Sequence, residues 1–447
     1  MDWPMEEATW TNHDLRIFDF QARPTVILQK LESDATLIKH VLLDKNGWEN
    51  WFDDASSTIA RGNGLYIVLS NRAEPIFEGE DAPVSYVSVT RDTWERITRF
   101  FHVHRSITRS ITRQVACFSS VYEEESKRTN SKICFTARMS KYLPGDLALS
   151  ATYVPSNEST FAVVYGCDED QMQEIEKLVR LAGDKTKYPL LVIEIFAELE
   201  RRRLVSMADQ LLDGFTLRSE HLENGKWDPS TDMSSDKAQE CLALCVQSRN
   251  LIDHMRAVKR QLLKLLVEID EFGNHFASHK SEAHHNHSNK VRRFKKAGFQ
   301  MKKRLQDTIN EYDDKMDECN MIVGNTTLAM QTVWNHIARH DSGLNTKIAR
   351  ANTLVAMEAK REGNQMKLIA LLTMVYLPFS SVAAIFSMDL FDWNAQAGEP
   401  VVSKYIWVFV AIAVGLTAIT FFVWYRITRR HGNTTDEDAP ERHSKMV

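Results

Sequence analysis

The sequence predicts an α+β membrane protein: an N-terminal α/β domain, a long helical stalk and a C-terminal hairpin of two transmembrane helices. Three observations predict it. Two uncharged runs of twenty-one residues, 368–388 and 405–425, stand near the C-terminus. The first half alternates short apolar runs with helical patterns. Between these regions, apolar residues recur in steps of three and four that lead into the first uncharged run. At 447 residues, 43% hydrophobic and 26% charged, the chain is long enough for two or three folded domains. A net charge of −5 excludes a globally basic nucleic-acid binder, so no nucleic-acid partner is expected. The cysteines (Cys117, Cys134, Cys167, Cys241, Cys245, Cys319) are too few and too scattered for a disulfide framework. A mean hydropathy of −0.33 reads as soluble only because the long apolar runs are confined to the last eighty residues.

Taken in order, the expected organisation is a cytosolic α/β domain over residues 1–187 and cytosolic helices with a polar linker over 188–300. A stalk helix over 301–367 continues into the first span at 368–388. An extracytosolic loop at 389–404, the second span at 405–425 and a basic, then disordered, cytosolic tail at 426–447 complete the chain. Within the first domain, residues 65–69, 85–89, 133–136 and 161–165 read as strands, and 168–181 as a helix. That helix carries Met172, Ile175, Leu178 and Val179 on one face and acids in its first turn. Polar stretches at 123–130 and 183–187 read as loops. Residues 190–212 and 238–272 are amphipathic helices separated by a turn-rich break at 222–236. A histidine-rich polar link covers 274–289.

Met330, Trp334, Ile337, Leu344, Ile348, Ala351 and Val355 form a heptad-like seam, interrupted at Asp341. The steps resume at Met366, Ile369, Thr373 and Leu377 inside the first uncharged run. One long helix, starting after residue 300 and entering the membrane, follows from this, with Gly324, Gly343 and Gly363 weakening it without breaking it. The seam either serves self-association as a coiled coil or packs on the upstream helices. Each uncharged run covers a hydrocarbon core about 30 Å thick at about 1.5 Å per residue. Lys347, Arg350, Lys360, Arg361 and Lys367 precede the first run, and Arg426, Arg429 and Arg430 follow the second. The connecting loop has one lysine against Asp389, Asp392 and Glu399. Positive flanks stay inside, so both termini are expected in the cytosol. The first twenty residues are acidic and unlike a secretory signal.

Few residues suggest chemistry. His275, His279, His284, His285 and His287 lie in a polar link with no cysteine near, which favours solvated side chains over a metal site. Cys241 and Cys245, at i and i+4, read as half-buried thiols. A basic cluster from Lys290 to Arg304 precedes an acidic one from Asp307 to Glu318. The basic cluster could touch anionic lipid or nucleic acid and the acidic one could hold divalent cations, but solvated helix faces are the commoner reading of such runs. No phosphate-binding loop, nucleophile elbow, zinc-protease or dinucleotide motif is present. The chain is therefore not expected to be an enzyme or to carry a cofactor.

The outer end of the first span is the most specific feature. Pro378 sits mid-span, and the run closes with Ser387, Met388 and Asp389, followed by an acidic loop and a second span ending in arginines. Here the chain resembles the CorA family of divalent-cation transporters, whose first span ends in Gly-Met-Asn a few residues after a mid-span proline. Residues 366–393 look more closely like the divergent CorA-like proteins of filamentous fungi, and residues 188–203 are also similar to a segment seen there. The resemblance implies a homopentamer in membrane lipid, with the plasma membrane the favoured location and first spans lining a central pore. Carried over by position, the pore and filter residues are Ser387, Met388, Asp389, Ser380, Leu377, Ile369 and Met366, with Asp389 as the metal-binding position. Arg426, Arg429 and Arg430 match the family's basic ring at the cytosolic mouth. The resemblance implies Mg²⁺ as the transported ion by default, with Zn²⁺ as an alternative.

Ser387 and Asp389 replace the family's glycine and asparagine. Five Asp389 carboxylates would attract cations strongly and repel one another, and tight binding slows release. Asp392 and Glu399 would concentrate cations outside the pore. Two readings follow: a conducting channel with an altered filter, or a CorA-like membrane scaffold or regulator that does not conduct.

Overall fold

The computed structural model describes residues 10–31, 36–59, 63–75, 81–123, 131–224, 235–278, 284–387 and 406–432. The chain divides into two compact units, Met1–Trp334 and Asn335–Val447.

The first unit is built on a seven-stranded sheet. Its strands are β2 (Thr25–Leu31), β3 (Ile38–Leu42), β4 (Gly64–Asn71), β6 (Cys117–Glu123), β7 (Lys132–Arg138), β8 (Ala148–Val154) and β9 (Ser159–Cys167), in the order β3-β2-β4-β9-β8-β7-β6. Every neighbouring pair is antiparallel except the central β4–β9 pair, which is parallel. Two short strands, β1 (Asp19–Phe20) and β5 (Tyr86–Val87), pair separately. The strands expected at 65–69, 133–136 and 161–165 fall inside β4, β7 and β9. The one expected at 85–89 is only two residues long. Beyond Val87 the Arg23 amide still donates to the Ser88 carbonyl at 2.9 Å, and the Ser88 hydroxyl lies 2.8 Å from Thr25 Oγ1 and 3.1 Å from Ser70 Oγ.

Helices cover both sheet faces, so β8 and β9 are buried along their whole length. On one face lie α2 (Lys45–Ile59), α3 (Arg91–Phe100) and α4 (Ser106–Thr112). Trp48, Trp51, Phe52 and Ala55 share one side of α2 and join Trp94, Phe101, Tyr66, Phe161 and Tyr165 in an aromatic core. A four-residue helix, α1 (Asn12–Leu15), precedes them, closed by a capping box between Thr11 and Asp14.

The other face carries α5 (Glu169–Ala182), capped by Asp168 and Gln171, and three long helices. These are α6 (Leu191–Asn224), α7 (Ser235–Ser278) and α8 (His284–Phe386). Met172, Ile175 and Val179 of α5 are buried as the spacing predicts. Residues 183–187, expected as a loop, form a single 3-10 turn after Gly183, whose φ of +54° suits glycine. The polar link is shorter than its composition suggests, because residues 274–278 and 284–289 are helical.

Met301, Leu305, Ile309, Tyr312, Met316 and Cys319 recur on one side of α8 and are buried against α6 and α7. Ion pairs fix the register around that seam. Lys259–Asp313 (2.6 Å) and Lys302–Asp270 (2.7 Å) set α7 antiparallel to α8. Arg201–Glu311 (2.9 Å) and Lys315–Asp209 (2.7 Å) set α6 parallel to it.

The second unit contains the C-terminal part of α8 and helix α9 (Ile406–Gly432). Both are long and apolar enough to cross a membrane, with mean hydropathies of 1.6 and 2.5 over their most apolar eighteen residues. Helix α8 runs through Gly324, Gly343 and Gly363 without interruption and starts well before residue 300. The expected fold class, an N-terminal α/β domain followed by long helices and two apolar C-terminal helices, is the observed one.

Candidate functional site

The residues expected to line a pore lie on the last turns of α8. Pro378 sits inside the helix and removes one amide donor, yet the helix continues to Phe386. Hydroxyls supply local backbone bonds around it: Ser380 Oγ donates to the Leu377 carbonyl at 3.0 Å and Ser381 Oγ to the same carbonyl at 2.7 Å. Thr373 Oγ1 donates to the Ile369 carbonyl at 2.5 Å.

Burial separates the faces of this helix. Leu371 and Met374 are half-buried, while Pro378 and Val382 are buried. On α9 the corresponding series is Ala413, Thr417, Thr420 and Trp424, with Ala413 only 2% exposed. Both series step by three and four, so they mark the facing sides of a helix pair. Small and hydroxylated residues in the α9 series suit close packing of membrane helices.

The predicted pore residues share a different side. Met366, Ile369 and Leu377 are 72, 64 and 62% exposed, and Thr373 and Ser380 are exposed with them. With 3.6 residues per turn, this stripe lies about 150° around α8 from the side that meets α9. A third sector, holding Leu368, Leu372, Tyr376, Phe379 and Ala383, is apolar apart from one phenol. Thr373 and Ser380 thus fall on the stripe and Ser381 beside it, and no aliphatic hydroxyl points to the third sector.

Ser387 is exposed, and its amide still donates to the Ala383 carbonyl at 2.8 Å. The backbone therefore keeps helical bonding at the position where the family resemblance expects a glycine. Met388, Asp389, Asp392 and Glu399 lie outside the described residues. Arg426 is exposed on α9. Arg429 and Arg430 belong to the same helix, but their side chains are outside the described set.

Between the two helices lies a mainly apolar cavity of about 610 Å³, open over most of its surface and lined by Val375 and Phe379 on α8 and by Val414, Thr417, Ala418, Phe421 and Phe422 on α9, with Tyr425 at one end. No linear pattern announces it, because it depends on the register between two separate helices. The only available signal was the run of small residues, Ala411, Ala413, Gly415 and Ala418, along α9.

The other candidate positions are structural in the first unit. Half of the acidic run on α8 is engaged: Glu311, Asp313 and Glu318 pair with Arg201, Lys259 and Lys315. In the basic run, Lys302 pairs with Asp270 and Arg304 with Glu194. His275, His284, His285 and His287 sit on helices with side chains outside the described set, and His279 is outside it altogether. Among the described residues, no three His, Cys, Asp or Glu side chains converge as a metal site. All six cysteines are free; Cys241 and Cys245 are half-buried on α7.

Two buried polar clusters escaped sequence reasoning, because their members are far apart in the chain. Asp146 accepts from Arg72 (2.9 Å) and Arg138 (2.5 Å) between β4, β7 and the β7–β8 turn. Glu268 of α7 accepts from Ser120 Oγ at 2.6 Å and from the Tyr122 hydroxyl. Burial, followed by the Glu268 hydrogen bond, pushes the Tyr122 phenol well above its ordinary range. These contacts tie the sheet together and to α7.

No protein-family model and no curated protein matches the chain. Solved structures with some similarity include full-length CmaX, at 10% identity and a TM-score of 0.37, covering 91% of this chain and 99% of that one. The CorA magnesium transporter of Methanocaldococcus jannaschii is 10% identical with a TM-score of 0.35, covering 90 and 97%. The ZntB cytoplasmic domain of Vibrio parahaemolyticus is 9% identical with a TM-score of 0.33, covering 70 and 100%. Scores this low carry no weight for fold or function, and the architecture described above rests on the chain's own elements.

Proposed function

We propose that this protein is a homo-oligomeric membrane channel or transporter for a divalent cation, with the first apolar helix lining the conduction path. The observation that carries the reading is the stripe Met366, Ile369, Thr373, Leu377 and Ser380. It is exposed, turned away from α9, and bears the aliphatic hydroxyls that the third sector lacks. In a bundle of several copies, such a side faces the axis while the apolar sector faces lipid. Thr373 and Ser380 offer oxygens to a hydrated ion, and Met366, Ile369 and Leu377 form apolar constrictions that gate by dewetting.

The resemblance to CorA proteins in the closing motif supports a pentamer and makes Mg²⁺ the default ion, with Zn²⁺ as the alternative. In this reading Asp389, flanked by Ser387 and Met388, is the outer cation site. Asp392 and Glu399 raise the local cation concentration, and Arg426, Arg429 and Arg430 ring the cytosolic mouth. Both termini would face the cytosol.

A second reading, a scaffold of the same architecture that does not conduct, is favoured by Ser387. Its amide remains tied to Ala383, which leaves the backbone helical where a filter needs to turn around an ion.

Flux of Mg²⁺, Zn²⁺ and Ni²⁺ into proteoliposomes separates the two. The channel reading expects Asp389→Ala to cut flux on the order of tenfold, the lower end of what charge focusing supplies. Well-formed oligomers that carry no ion, and gain flux on combining Ser387→Gly with Asp389→Asn, would establish the scaffold.

A further inference from the structure

We propose that the cavity between α8 and α9 is a binding site for one acyl chain of an anionic phospholipid drawn from the leaflet at the C-terminal end of α9. The proposal rests on the membrane reading of the two apolar helices and goes beyond the conduction path to a different side of the molecule.

Three observations carry it. The cavity is elongated along α9: its lining runs from Val414, through Ala418 and Phe421, to Tyr425, about three turns of helix. Its walls are apolar apart from two hydroxyls, that of Thr417, which donates to the Ala413 carbonyl at 2.7 Å, and the phenol of Tyr425 at one end. A volume of about 610 Å³ walled almost wholly by hydrocarbon suits an acyl chain better than water.

The position around α8 identifies the occupant as lipid instead of an ion or a neighbouring pore helix. Val375 and Phe379 lie about 140° around the helix from the mean of the stripe assigned to the axis, taking 3.6 residues per turn. They adjoin the sector of Leu368, Leu372 and Ala383, which has nothing but hydrocarbon to offer a neighbour. An opening on that side meets bilayer.

Charge identifies the headgroup. Tyr425 closes the cavity at the end of the apolar run, exposed Arg426 follows it, and Arg429 stands one turn beyond Tyr425 in the same helix. Aromatic rings and arginines at that depth meet the phosphate layer. A chain seated between Phe421 and Phe379 would therefore leave its headgroup beside cationic helix turns, and an anionic lipid would be held in preference to a zwitterionic one.

The test uses the full-length protein in phosphatidylcholine nanodiscs containing a minor share of phosphatidylserine, with the lipid that survives detergent extraction identified by mass spectrometry. The expected result is about one retained phospholipid per chain, enriched in phosphatidylserine about fivefold over the bulk, the preference that one arginine near the surface supplies. Ala418→Trp, which fills the cavity, should abolish retention. Arg426→Gln combined with Arg429→Gln should keep the lipid and lose the preference for serine headgroups.

Bulk composition in the wild-type extract overturns the proposal. So does retention that is unchanged in Ala418→Trp. If Ala418→Trp changes the oligomer mass while no lipid is retained by the wild type, the cavity is a packing surface between copies, and the proposal fails. A chain that stays out of nanodiscs altogether refutes the membrane reading beneath it, an outcome distinct from all of these.

Discussion

The two units of this chain solve opposite solvent problems with the same amino acids. In the first unit, large side chains such as Trp94, Phe101, Tyr165 and Phe272 are fully buried, and charged residues on the long helices pair across them. In the second, Leu344, Ile348, Leu368, Leu372, Trp407 and Phe422 are all exposed, and Pro378, Val382 and Ala413 are the only buried residues among those described. The first unit removes its apolar surface from water within one chain. The second keeps its apolar surface outside, and on the proposed reading that surface is covered by hydrocarbon and by further copies of the chain. Helix α8 belongs to both regimes: its buried seam ends near Ile322 and Thr326, and between Trp334 and Ala370 its described apolar side chains are exposed.

The sharpest way to break that contrast is to separate the units. Residues 1–334 should express as a soluble fragment that unfolds cooperatively, whereas residues 335–447 should be recovered only in detergent or lipid. Size-exclusion chromatography without detergent checks both, and an aggregated 1–334 fragment would show that the first unit leans on the second.

A smaller effect is expected from matched truncations. Trp94 touches Phe18 and Tyr165 with ring centroids 5.3 and 5.6 Å away, so Trp94→Ala should destabilise the 1–334 fragment by about 3–5 kcal/mol in urea unfolding. In the full-length protein, Ile348→Ala removes a side chain that is 56% exposed within its own chain. It should leave the stability of a single chain within about 0.5 kcal/mol while weakening self-association, read as oligomer dissociation at lower dilution. An Ile348→Ala variant that loosens nothing would assign the seam a solvated role.

The sequence made some of this legible and concealed the rest for physical reasons. Strands β4, β7 and β9 announced themselves because buried strands concentrate Val, Ile, Phe and Tyr. Strand β8 (ALSATYV) escaped, because its small residues are dictated by layers packed on both faces and not by strand preference. Helix α4 (SITRSIT) escaped in the opposite direction: β-branched residues suggest a strand, yet Ile107 and Ile111, four apart, anchor it as a helix. The start of α8 was hidden by the polarity of His284, His285 and His287. At the candidate site, the steps from Met366 to Leu377 could be read from periodicity, because all lie on one helix, whereas Ser380 came from the family resemblance. The α8–α9 cavity, and the pairs that engage the acidic run, depend on which helices meet and at what register, which a single linear pattern does not contain.

The last of these effects concerns a buried polar group in the first unit, and it tests how dry that unit is. His102 follows α3 with φ of +50°, its carbonyl accepts from Thr152 Oγ1 at 2.8 Å, and its ring stands edge-on to Phe161. Burial, with the Lys132 charge adding to it, lowers its pKa from 6.5 to about 4. Between those values the unfolded chain binds a proton that the folded one does not. Stability is therefore complete above pH 6.5 and falls as the pH drops toward 4. At about 1.4 kcal/mol per pH unit the loss amounts to at most about 3 kcal/mol. Asparagine tolerates the same positive φ, so His102→Asn should keep the turn and remove this part of the acid sensitivity. The stability difference between the two 1–334 fragments should shift in favour of the variant as the pH is lowered from 7 to 4.5. Parallel pH profiles would mean that the imidazole is solvated in the folded state, and that water reaches the aromatic core the first unit is built to exclude.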